Sequence, residues 1–107
     1  MRRQVIGVGD QIFQDSISAD RGDANVTLAI GLDATIQRFA TTLTANRTVT
    51  LPTSGMIRGD RFRIVRTGLG AFTLAVGALK TIPSATAAFV EVMYDGTNWV
   101  LIGYGTL

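Results

Sequence analysis

The chain contains no histidine and no cysteine. These absences remove the commonest general base, the commonest metal ligand, the thiolate nucleophile and any disulfide. Ser and Thr are plentiful, but without His no conventional catalytic triad can be assembled from them. Lysine occurs once, at Lys80, so basic charge is carried almost entirely by arginine. Ten basic against 8 acidic residues leave a net charge of +2, too small a field for a nucleic-acid binder. No apolar run approaches the roughly 20 residues a membrane helix requires. Met1-Arg2-Arg3 begins like a signal peptide, but Gln4, Gly7, Gly9 and Asp10 break up the hydrophobic segment that should follow. The composition therefore points away from enzyme, cofactor, membrane and nucleic acid.

What is present is a chain of 107 residues, 47% hydrophobic, long enough for one domain with a modest core. From Asn25 onward apolar residues alternate with polar ones. Val26, Leu28 and Ile30 share a face, as do Val49 and Leu51, Phe62 and Ile64, Phe72, Leu74 and Val76, and Val90, Val92 and Tyr94. Period two over short runs, separated by Gly, Asn, Asp, Ser and Pro, predicts an all-β fold: a small, jelly-roll-like antiparallel sandwich or barrel of about seven or eight strands. Leu32–Leu43 also fits helical spacing, but Thr35, Thr41 and Thr42 favour strand, with Ala45-Asn46-Arg47 as a hairpin turn into Thr48–Leu51. Residues 1–24 are less regular. They suit an extended arm that orders on a neighbour, or equally an edge strand, ahead of a β domain over 25–107.

Several motifs have plain structural explanations. Arg21-Gly22-Asp23 matches an adhesion tripeptide but reads as a turn with Gly at positive φ. Asn25-Val-Thr27 and Asn46-Arg-Thr48 match the glycosylation pattern but read as Asn at turns and Thr on strands. Gly7-Val8-Gly9 and Gly68-Leu69-Gly70 lack the frame of a phosphate loop and read as turns. Asp33, Asp60, Glu91 and Asp95 are dispersed, and Asp60 is bracketed by Arg58 and Arg61, so local ion pairing is the simpler role than acid–base or calcium chemistry. Arg58, Arg61, Arg63 and Arg66 form the densest charge feature, with Arg61 and Arg63 on one strand face.

The C-terminal stretch "VEVMYDGTNWVLIGYGTL" carries a hairpin signal at Asp95-Gly96. After it Trp99, Val100, Leu101 and Ile102 follow consecutively, so both faces of that strand are apolar and one needs an external cover. With Phe89 and Met93 on the preceding strand, and Ile102 and Tyr104 beyond Trp99, this hairpin is expected to form an oligomer interface. Trp99 and Tyr104 also suit sugar stacking, which keeps a carbohydrate-binding module in view.

"LTANRTVTLP", "RGDRFRIVRTG", "FTLAVG" and the C-terminal stretch, with Asp95-Gly96-Thr97-Asn98-Trp99 the most specific piece, resemble a β-rich module of tailed-bacteriophage virion proteins. The resemblance spans about residues 41–107. It implies a trimer with a structural role and offers no catalytic residues. Of the roles it implies, a capsid decoration (cement) protein on the phage head suits a free-standing chain of this length. A tail-fibre or tail-spike module binding host-surface glycan is the alternative. For a cement protein the partner is the major capsid protein, met by Arg2, Arg3, Arg58, Arg61 and Arg63 through polar contacts and by Val5, Ile6, Ile12 and Phe13 through apolar ones. The alternating pattern makes one direct prediction: far-ultraviolet circular dichroism of the folded chain should show a β spectrum, and a dominant helical signal would overturn it.

Overall fold

The computed structural model describes residues 16–107. Nine strands occur among them: β1 (Ile17–Asp20), β2 (Val26–Thr27), β3 (Ile36–Phe39), β4 (Arg47–Thr50), β5 (Arg61–Arg66), β6 (Leu74–Val76), β7 (Lys80–Ile82), β8 (Ala88–Tyr94) and β9 (Trp99–Thr106). No helix is found among the described residues. Of the expected arm, Ile17–Asp20 pairs as β1 with β3, while residues 1–15 lie outside the described residues.

The strands form two sheets, in the orders β1-β3-β5-β8-β9 (sheet A) and β2-β4-β6-β7 (sheet B). From β1 to β6 the chain alternates between them, and each return is parallel: β1 with β3, β3 with β5, β2 with β4, and β4 with β6. Only the last part is antiparallel, through β6–β7, β5–β8 and β8–β9. The sheets are thus mixed, not antiparallel as alternation suggested, and the described residues hold nine strands. Ala45-Asn46-Arg47 is a corner between sheets A and B and not a hairpin, since β3 and β4 never pair. The Asp95-Gly96 hairpin forms as expected, but it ends at the edge of sheet A, with β8 as the only neighbour of β9 among the described strands.

Both sheets close on one hydrophobic core. Sheet A contributes Phe39, Phe62, Ile64, Val90 and Val92, and sheet B contributes Val26, Val49, Leu74, Val76 and Ile82, with Leu28, Leu43 and Leu51 from the corners. Within Leu32–Leu43 only Ile36–Phe39 is strand (β3), with Phe39 fully buried, while Leu32 lies in a turn and is exposed. Phe72, expected inside, lies ahead of β6 and remains 36% exposed.

Successive coils are joined at their corners by side chains that accept backbone N–H groups from the next coil. Asp20 Oδ1 accepts Ala40 N, Asp23 Oδ1 accepts Thr44 N, Asn25 Oδ1 accepts Thr48 N and Asn46 Oδ1 accepts Thr73 N, while Ser18 Oγ accepts Arg38 N where the register of β1 on β3 shifts, all between 2.9 and 3.1 Å. These bonds satisfy donors that a corner would otherwise leave unpaired as the strands splay apart. Asp20 also takes the Thr41 hydroxyl, and Asp23 takes the Thr44 hydroxyl and Arg47 Nε. The same stacking explains Gly68-Leu69-Gly70. A Cβ at Gly68 would come within 2.5 Å of the Ala40 and Thr41 carbonyl carbons, so only glycine lets this corner sit on the one before it.

Two measurements check this arrangement. Gly68→Ala meets immovable backbone and should cost about 3 kcal/mol or prevent folding, whereas removing the side chain of exposed Ile57 should change stability by less than about 0.5 kcal/mol. Equal effects in denaturant melts would contradict the stacking. Second, the Thr41 hydroxyl and the Ala40 and Gly22 amides lower the Asp20 pKa to about 2, and Arg47 with Thr44 lowers that of Asp23 to about 2. Carboxyls depressed by folding contribute stability above their unfolded values, roughly pH 4, and lose it as pH falls through about 2. Stability should therefore decline between about pH 4 and pH 2, and the decline should shrink in Asp20→Asn and Asp23→Asn.

Candidate interaction surface

The outward side of sheet A gathers several of the sequence-predicted residues. On β5, Phe62, Ile64 and Arg66 face the core while Arg61, Arg63 and Val65 face out. Opposite them on β8 stand Met93, Glu91 and Phe89, paired with Arg61, Arg63 and Val65 respectively. Ile36 of β3 lies in register with Arg63, and Val100, Gly103 and Gly105 of β9 complete the face.

One carboxylate organises the centre of this surface. Glu91 Oε1 accepts from Arg63 Nη2 at 3.2 Å, and Glu91 Oε2 lies 3.7 Å from Arg61 Nη1. The Arg63 guanidinium also lies over the Phe89 ring, 4.7 Å from its centroid, and Arg61 reaches Met93 Sδ at 4.0 Å. Phe89 in turn covers glycine: a Cβ at Gly105 would be 2.7 Å from the ring, and one at Gly103 would be 3.6 Å away. An aromatic laid over cross-strand glycines restores apolar contact that those residues lack. A hollow of about 250 Å³ opens beside this group, lined by Thr35, Ile36, Arg61, Arg63 and Glu91.

The expected interface residues divide between two faces. Phe89 and Met93 point outward, but Trp99 and Tyr104 pack against the core. The Trp99 indole N–H donates to the Pro52 carbonyl at 2.9 Å, and its ring meets Phe62 and Tyr94 at centroid distances of 5.8 and 5.5 Å. Lys80 Nζ sits 4.3 Å from the Tyr104 ring centre. Neither ring is presented as an open platform. Ile102 stands at a register shift where β8 passes from Glu91 to Val92 while β9 passes from Gly103 to Leu101. This extra residue breaks the alternation, and Leu101 and Ile102 are left 41% and 43% exposed.

The arginine group also divides. Arg61 and Arg63 are exposed, as is Arg58, which lies beside Gly96 at the β8–β9 turn. Arg66 is fully buried. Its Nε donates to the Gly68 carbonyl at 2.8 Å and its Nη1 to the Pro83 carbonyl at 3.0 Å, which ties two corners to the end of β5. Burial lowers its pKa from the usual arginine value. Arg2, Arg3, Val5, Ile6, Ile12 and Phe13 lie outside the described residues.

The remaining motifs among the described residues serve the fold, and Gly7-Val8-Gly9 lies outside those residues. Gly22 has φ +75°, Arg21 pairs with Asp33 at 3.3 Å and Asp23 pairs with Arg47 at 2.9 Å, so both charges of the adhesion-like tripeptide are engaged. Asp33 accepts the Ala29 amide and Asp60 the Ile57 amide. Asp95 accepts the Asn98 and Thr97 amides, which lower its pKa. No group of three acidic side chains among the described residues is placed to hold a metal ion.

Phe89→Ala uncovers Gly103 and Gly105 and frees Arg63, and should lower stability by about 1–3 kcal/mol. Glu91→Gln weakens only exposed ion pairs and should cost less than about 1 kcal/mol. Chemical denaturation of both variants checks this ranking, and the reverse order would contradict the role given to Phe89.

No protein-family model matches this chain, and neither the curated proteins nor the solved structures compared with it give a match.

Proposed function

We propose that this chain is a non-enzymatic structural protein of a tailed-phage virion, a capsid decoration protein that trimerises and clasps coat subunits to reinforce the head. The observation that carries the reading is β9. It is eight residues long, contains no charged residue and no proline, and leaves Leu101 and Ile102 exposed at the rim of sheet A. Soluble monomers protect long edge strands with charge, proline or a covering segment. The bulge at Ile102 is one such device, but it raises an apolar side chain where a lysine would discourage contact. An edge of this kind fits a protein that works by contact with other subunits.

A mechanical role also suits the way the acidic groups are used. Asp20, Asp23, Asp33, Asp60, Glu91 and Asp95 each accept a backbone amide, a hydroxyl or an arginine. The resemblance to virion modules supplies the three-fold assembly and the coat partner. Reinforcement then arises from repetition: weak contacts made many times by symmetry add through avidity, because each link makes the next effectively intramolecular.

The tail-fibre or spike reading has one specific observation in its favour. Parallel coils stacked through β1–β6 are a geometry that lengthens by adding coils, as a shaft does. Copy number separates the two. Purified virions should carry hundreds of copies on the head, whereas a few dozen at the tail would establish the fibre reading. In solution the chain should sediment as a trimer at micromolar concentration, and Ile102→Lys should dissociate it with the β spectrum intact. A wild-type monomer at that concentration would contradict the self-association.

A further inference from the structure

We propose that the hollow over β5 is a carboxylate-recognition site, in which Arg61 and Arg63 receive an aspartate or glutamate side chain of a partner protein. The proposal deepens the virion reading, on which it rests only for who the partner is.

The first argument is charge. Two guanidiniums face one carboxylate, so the Arg61–Glu91–Arg63 group keeps an uncompensated positive charge. A guanidinium has five N–H donors. Among the described contacts, Arg63 commits one to Glu91, and Arg61 has its ion pair and a long contact to Met93 Sδ. Among the described residues most of the donors have no partner, which leaves them for a second carboxylate, whose two oxygens match the planar fork of arginine.

The second argument is preorganisation. Arg63 is fixed between Glu91 and the Phe89 ring, and Phe89 is itself seated on Gly103 and Gly105. An arginine already held in place loses less freedom on binding than a solvated one. Arg58, near the turn glycine, makes no comparable stack among the described contacts and serves as the internal control.

The third argument is what surrounds the charge. Ile36, Val65, Phe89 and Met93 flank the two arginines on the same face. An arginine pair among partly buried apolar side chains is the composition of a protein–protein contact centre, where aromatic residues, Met and Arg are enriched. A free phosphate or an acidic sugar would use the guanidiniums but leave these apolar neighbours uncovered. The occupant that uses both is an acidic side chain on a polypeptide with apolar neighbours of its own.

Glu91 makes the proposal testable in an unusual direction, because it competes with the incoming carboxylate. The full chain is titrated with N-acetylglutamate amide at low ionic strength, following the arginine Nε–H signals by nuclear magnetic resonance. Saturable shifts at Arg61 and Arg63 are expected. Arg61→Ala and Arg63→Ala should each weaken binding about tenfold, and Arg58→Ala should change it less than about twofold. Glu91→Gln keeps an oxygen acceptor but removes the competing charge, so it should tighten binding about three- to tenfold. All four side chains are surface-placed, and the amide spectrum of each variant verifies that the fold is retained.

Unsaturated shifts spread evenly over Arg38, Arg58, Arg61 and Arg63 would overturn the site as general anion attraction. Unchanged or weakened binding in Glu91→Gln would overturn it as well. Parallel titrations with inorganic phosphate and glucuronate give the other outcomes: either one binding tenfold more tightly than N-acetylglutamate amide would replace the protein carboxylate with that ligand. Because these probes need no virion, failure here leaves the decoration reading intact, and failure of the decoration reading leaves a saturable site intact.

Discussion

A chain that crosses between two sheets and returns parallel to itself must solve a hydrogen-bonding problem at every corner. Within a strand the ladder pairs the backbone, but at the corner the chain turns and consecutive coils no longer align. Asp20, Asp23, Asn25 and Asn46 solve it here by presenting a side-chain oxygen to an amide of the next coil. All of these acceptors point the same way along the stack, so each coil is the template for the one that follows. Gly68 and Gly70 let the third corner approach the second closely enough for the stacking to continue, and buried Arg66 links it to the segment around Pro83.

The direction of this stack determines where the exposed chemistry lies. Once β5 is placed by β3, the antiparallel strands β8 and β9 extend sheet A on its other side. Arg61, Arg63, Phe89, Glu91 and Met93 are thereby brought onto one outward face from two strands distant in sequence. The core behind them is aliphatic with two phenylalanines and a half-buried tryptophan, which holds that face rigid. Rigidity lets two arginines and a phenylalanine keep a fixed relation without a ligand, and it also makes repeated contacts between copies effective in an assembly.

Much of this was legible in the sequence, and the misses share a cause. Alternation gave the strand faces correctly for Phe62 and Ile64, Leu74 and Val76, and Val90 and Val92. It carries no information about strand direction, and the Asp, Asn and Gly residues that cap corners are the same residues that make hairpin turns. A signal for parallel stacking was present in Asn25-Val-Thr-Leu28 and Thr48-Val-Thr-Leu51, near-repeats that lie in register with Val26 opposite Val49. Arg66 shares the alternation phase of Phe62 and Ile64, so the pattern placed it inside even though its charge suggested the surface. The consecutive run from Trp99 to Ile102 read as two apolar faces. A register shift at Ile102 and a hydrogen bond from Trp99 to Pro52 separate those side chains, and neither feature has a local sequence signature.

Native-state hydrogen exchange tests the corner stack most directly. The amides of Ala40, Thr44, Thr48 and Thr73 each donate to a side chain of the preceding coil, although Thr44 and Thr48 are exposed residues and Ala40 and Thr73 only half-buried. If the coils are held together at these points, the four amides exchange only through large-scale opening, at rates close to those of core amides such as Ile64 and Val90. Exchange as fast as that of the exposed loop around Ser54 would show that the corners open independently, and would contradict the account.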